Sequence, residues 1–114
     1  MNKLVTDEMV EAALAALSVE TAQYAGKAKA DEVRADEARK ACLSRLKREC
    51  NVAKSNADKD DWARIQPDYQ QAVDKHASAA GRHEYYRDQR VKAEAILGAW
   101  QTENANERAS RRMT

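Results

Sequence analysis

The side chains here best suited to metal or thiol chemistry are two histidines and two cysteines. His76 and His83 stand seven residues apart, on one face of a helix but about 10 Å apart along its axis, beyond the span of one metal ion without further ligands. Folding of the chain near residue 60 would bring Cys42 towards His76, yet the sequence has no CxxC and no histidine pair at i, i+4. Histidines at the edge of a core, their nitrogens met by polar partners, are the expectation. Cys42 and Cys50 would lie about 12 Å apart along a helix, too far to bond within one chain. Reduced thiols and a cytoplasmic setting follow. No glycine-rich loop follows a strand, and no serine or cysteine sits in a nucleophile motif. The sequence predicts no enzyme, no metal and no cofactor.

Chemistry of a different kind is available to the cations. Lys40, Lys47 and Lys54 repeat every seven residues with Lys29 at nearly the same angle, a ridge suited to following a phosphate backbone. Lys27, Arg34 and Arg45 form a second line. The same pattern also suits a plain solvated helix face, for Asp36 and Lys40 are an i, i+4 pair. A second cluster, Arg82, His83, Tyr85, Tyr86, Arg87, Arg90 and Lys92, interleaves rings with positive charge, as single-stranded nucleic acid requires for stacking and phosphate contact. Adjacent tyrosines point about 100° apart on a helix, so one belongs to a core and the other to its edge. Glu84, Asp88 and Glu94 dilute this field.

These residues need long helices to position them, and the composition supplies little else. Three Gly and one Pro interrupt 114 residues, and the 20 basic and 19 acidic side chains nearly cancel, which argues against binding nucleic acid by bulk charge. Their distribution is uneven: one Lys against four acids in residues 1–24, nine cations against five acids in 25–55, and two against four in 56–68. Of 49 hydrophobic residues 23 are alanine. A chain with so few bulky core residues buries little alone, so a homo-oligomer is expected. No apolar run approaches the roughly 20 residues of a membrane span, and the acidic amino terminus lacks a signal peptide's basic start.

The pattern predicts an all-α fold in one domain over residues 1–114: a short amino-terminal helix and a long antiparallel helical hairpin of coiled-coil type. A helix over about 7–17 is capped by Thr6 or Asp7 and carries the aliphatic stripe Val10, Ala13, Leu14 and Leu17. A second runs over about 19–54 with a seam of Ala28, Ala35, Ala38, Cys42, Leu46, Cys50 and Ala53, small enough for close helix approach. Gly26 marks a weak point in it, at its joint with the first helix. Residues 55–66, rich in Ser, Asn and Asp, read as the hairpin connection, with Trp62 and Ile65 capping its tip. The last helix, over about 67–112, starts on Pro67, whose missing amide hydrogen costs nothing there. Its stripes Tyr69, Val73, His76, Ala77, Ala80 and Tyr86, Ala93, Ile96, Leu97, Trp100 are out of phase, with a break near Gly81. Either the helix bends there, or its second half faces a neighbouring subunit. Val10, Leu14, Leu17, Ile96, Leu97 and Trp100 are the expected oligomer or partner contacts.

The string AGKAKAD at 25–31, the QPDYQQAV entry into the last helix at 66–73, and the ending Trp100, Thr102, Ala105, Asn106, Arg108, Ala109 resemble a family of small helical proteins of tailed phages and prophages encoded near recombination genes. The layout is distantly similar to that of UvsY-type recombination mediators, though no motif of theirs matches residue by residue. The resemblance implies an oligomer that holds single-stranded DNA for a phage recombinase or annealing protein. The residues for nucleic acid would be Lys29, Lys40, Lys47, Lys54, Arg82, Tyr85, Arg87 and Arg90. Two readings compete with it. One is a phage protein that binds and blocks a host factor through its acidic first helix and acidic 58–61 turn; the other is a purely structural helical scaffold.

Overall fold

The computed structural model describes residues 3–113, which form four α-helices and no strand. These are α1 (Asp7–Ala16), α2 (Val19–Glu49), α3 (Asn56–Arg64) and α4 (Pro67–Met113). The fold is all-α, a short amino-terminal helix with a long antiparallel helical hairpin. The chain divides into two compact units. One is Gly26–Glu84; the other joins the residues up to Ala25 to those from Tyr85 onward.

Within Gly26–Glu84 the side-chain pairs fix the direction of the helices. Glu32 meets His83, Asp36 meets His76, and Arg39 meets Tyr69, so α4 descends in number as α2 ascends. Covered positions on α2 (Ala28, Glu32, Ala35, Arg39, Cys42, Leu46) alternate steps of four and three, and so do Tyr69, Ala72, His76, Ala79 and His83 on α4. That interval of 3.5 residues belongs to a supercoiled pair. The out-of-phase stripes expected on α4 are therefore corrected. The covered line runs through Gly81 without a break, on Ala72 and Ala79 where the expected stripe has Val73 and Ala77. Hydrophobicity misleads because the covered alanines, 72 and 79, are no more apolar than the exposed Val73 and Ala77 beside them, and His83 is polar.

The hairpin tip differs more. α2 ends at Glu49 and not near Lys54, and the connection expected over 55–66 contains α3. Ser55 accepts the Asp58 amide through Oγ at 3.1 Å, with Asp58 in the first turn. The Ser and Asp expected as loop formers are thus N-cap chemistry. The Gln66 side chain donates to the Trp62 carbonyl at 2.9 Å as α3 ends, and Pro67 opens α4 at once. The core here is Leu46, Ala63 and Tyr69, with Cys42, Leu43 and Trp62 around it. Trp62 covers the tip as expected. Ile65 does not: it is 69% exposed, and Ala63, fully covered, points inward.

In the other unit, Thr6 caps α1 by accepting the Met9 amide at 3.2 Å. The joint to α2 lies at Leu17 and Ser18, where Thr21 Oγ1 donates to the Ala15 carbonyl at 2.9 Å; helix continues unbroken through Gly26. The segment before α1 is held by α4. Glu103 accepts the amides of Leu4 and Val5 at 3.0 and 3.4 Å, Lys3 lies 3.8 Å from Glu107, and Val5 is buried.

Candidate nucleic-acid and assembly surfaces

The seam of the hairpin is built from alanine and charge. Alanines 28, 35, 72 and 79 let α2 and α4 approach, and the positions between them carry titratable groups. His83 Nδ1 contacts Glu32 Oε2, and His76 Nε2 stands 3.8 Å from Asp36. Arg39 bonds to Asp36 at 2.8 Å and donates to the Tyr69 hydroxyl at 3.3 Å; Arg64 donates to the same oxygen at 3.2 Å. Asp60 accepts from Arg64 at 2.6 Å and lies 4.0 Å from Lys47. Charge thus occupies sites that a larger protein fills with leucine. The Arg39 hydrogen bond, followed by that of Lys40, holds the Asp36 carboxyl below its ordinary range, and Asp36 in turn raises both cations.

Sequence reasoning named the two histidines but not Glu32, Asp36 and Arg39 as their surroundings. Seven-residue spacing through Ala25, Glu32, Arg39 and Leu46 carried the signal. Cys42 does not turn to His76; it lies beside Arg45, and both cysteines are free thiols. Among the described residues no group of three His, Cys, Asp or Glu is placed to hold a metal ion, and no helix is long and apolar enough to cross a membrane.

The expected phosphate ridge is divided by this pairing. Lys40 is 3.1 Å from Asp36 and 3.8 Å from Glu37, Lys47 is half-buried beside Asp60, and Arg90 donates to Glu94 at 3.2 Å. Arg87 also has a partner. Lys29, Lys54 and Arg82 are exposed, with no acidic group within 4 Å among the described residues. Tyr86 is half-buried, and Tyr85 packs edge-on against it at 5.4 Å while remaining 58% exposed. No family model, curated protein or solved structure matches the chain.

The expected assembly contacts also divide. Ile96, Leu97, Trp100 and Val10 are half-buried within the chain itself, so the second half of α4 is not left wholly to a neighbour. Leu14 and Leu17 are exposed, together with Leu4, Val19, Val33, Val52 and Val91.

Proposed function

We propose that this chain is a non-catalytic helical assembly protein, acting through association of its surfaces. One observation supports the reading above others: apart from Leu46 the seam is filled largely by alanine and paired charge, and most of the larger aliphatic side chains, Leu4, Leu14, Leu17, Val19, Val33, Val52 and Val91 among them, stand outside it. The accessible surface is 8685 Å². A compact monomer of 12.8 kDa exposes about 6300 Å². Covering the difference against further copies supplies the burial that the chain lacks alone. Mass in solution across a hundredfold range of concentration tests this. Growth of mass with concentration is expected, and a constant single-chain mass overturns it.

A second reading is favoured by Lys29, Lys54, Arg82 and Tyr85, which are exposed cations without acidic partners and an exposed ring. In it the assembled helices hold single-stranded DNA for a partner recombinase or annealing protein, as the phage resemblance implies. The ion pairs of Lys40 and Arg90 are exposed and therefore weak, so phosphate can replace their carboxylates. Binding of a labelled oligonucleotide would weaken steeply with salt, by close to one power of salt concentration for each phosphate that the cations neutralise. Absence of binding at low salt overturns it.

A further inference from the structure

We propose that residues 3–5 are a strap latched by Glu103, and that opening this latch frees α1 from α4 while Gly26–Glu84 stays folded. The device belongs to a single chain, whether or not copies assemble. Successive amides of an extended chain point to opposite sides, so one acceptor ordinarily meets only one of them. Here the chain bends at Leu4 and Val5, and Glu103 accepts both amides, through Oε1 and Oε2, at 3.0 and 3.4 Å. Neighbouring amides turned the same way make a concavity for an anion, and the anion that fills it is the protein's own carboxylate. Lys3, 3.8 Å from Glu107 one turn further along α4, adds an exposed and weak pair. The bend also parts the side chains: Val5 is buried, and Leu4 is 87% exposed.

α1 has little else to hold it in the compact unit that it shares with the second half of α4. Its 10 residues are fewer than the roughly 12 at which an isolated helix begins to persist. Among the described residues of α1 only Ala13 is buried, and an alanine removes little apolar area from water. Val10 and Ala16 are half-buried, and Leu14 is 56% exposed. At its carboxyl end the helix is tied by Thr21 Oγ1, which donates to the Ala15 carbonyl. At its amino end the tie is the strap, for Val5 adjoins Thr6, the cap whose Oγ1 meets the Met9 amide. Opening the latch therefore takes Val5 out of its seat and loosens the cap together. The open state bares Val10 and Ala13 beside Leu14 and Leu17, the whole aliphatic stripe, of which the closed state leaves Leu14 and Leu17 exposed.

Amide hydrogen exchange on the full chain in dilute solution tests the latch. E103A is expected to speed exchange at residues 10–16 by about tenfold or more while residues 35–46 keep the parent rate, because the opening is local. E103Q, which keeps one carbonyl acceptor, falls between E103A and the parent. K3A removes only the exposed pair with Glu107 and changes exchange in α1 by less than about twofold. V5S opens the same latch from its apolar side, so E103A with V5S speeds α1 by less than the product of the two single effects. Unchanged exchange in α1 on E103A overturns the latch, since α1 then holds itself. An equal rise at residues 35–46 also overturns it, since Glu103 then supports the whole fold. Single effects that multiply in the double variant overturn it as well, because they mark two independent contacts.

Discussion

His83 and Glu32 meet across the hairpin, Nδ1 on Oε2, with 30% of each side chain exposed. Both occupy positions in the 3.5-residue repeat where a hydrophobe ordinarily packs. Removing one leaves the other half-buried without its partner, so H83A and E32A are each expected to cost about 1 kcal/mol. The double variant should cost less than their sum, with a coupling of about 0.5 to 1 kcal/mol. Leucine at both positions is expected to be more stable than the parent by about 1 kcal/mol or more. Urea unfolding at neutral pH measures all four. Additive single losses, or a less stable double leucine, would show that the pair does not hold the seam.

Asp36 gives the hairpin a dependence on acid. Its pKa lies below the ordinary 3.8, chiefly through the Arg39 hydrogen bond and then that of Lys40. A carboxylate depressed by folding contributes fully above its unfolded value and loses that contribution as pH falls through the folded one. The melting temperature should therefore drop on acidification below about pH 4, where carboxylates titrate. D36N, which cannot ionise, is less stable than the parent at pH 7, and the gap between them closes in that acid range. Parallel pH profiles for the two proteins would contradict the assignment.

The long helices are legible in the sequence because few glycines and prolines interrupt them, and the capping role of Thr6 because its side chain precedes two acids at a helix start. The tip is not. Ser55 and Asp58 are as common in loops as in caps, and nothing local separates the two; only the α3 turns that follow do. The seam is half legible: Ala28, Cys42 and Leu46 on α2 and His76 on α4 fall in the expected stripes, whereas Glu32 and Arg39 on α2 and His83 on α4 line the same seam and fail any test of hydrophobicity. The Glu103 contact with Leu4 and Val5 joins residues nearly a hundred apart, with no periodic pattern to announce it.

Leu46 and Leu14 separate what the fold needs from what it leaves outside. Leu46 is 4% exposed at the centre of the Ala63 and Tyr69 cluster, and Leu14 belongs to the aliphatic stripe of α1 yet is mostly in solvent. L46A is expected to cost about 2 to 4 kcal/mol, the range for emptying a leucine site in a core. L14A should change the stability of a dilute single chain by less than about 0.5 kcal/mol, as surface substitutions do. Chemical denaturation at low and high protein concentration distinguishes them, since the loss from L14A should appear only where copies associate. A large loss from L14A in dilute solution would place that side chain inside the fold.

Each of the three glycines lies within a helix, and none is required by packing. A methyl group built at Gly26, Gly81 or Gly98 meets nothing within 4 Å, and none has a positive φ. Glycine in a helix interior costs about 1 kcal/mol relative to alanine, mostly through the freedom it gives the unfolded chain. G26A and G81A are each expected to raise stability by about that amount. Both glycines also stand near a border between the compact units, which falls at Gly26 on α2 and after Glu84 on α4. If they loosen the helices locally, G26A with G81A will slow amide exchange most at residues 22–30 and 78–88. If they are tolerated accidents, exchange will slow evenly wherever it proceeds by global unfolding. The distribution of protection, rather than the gain in stability, decides between the two.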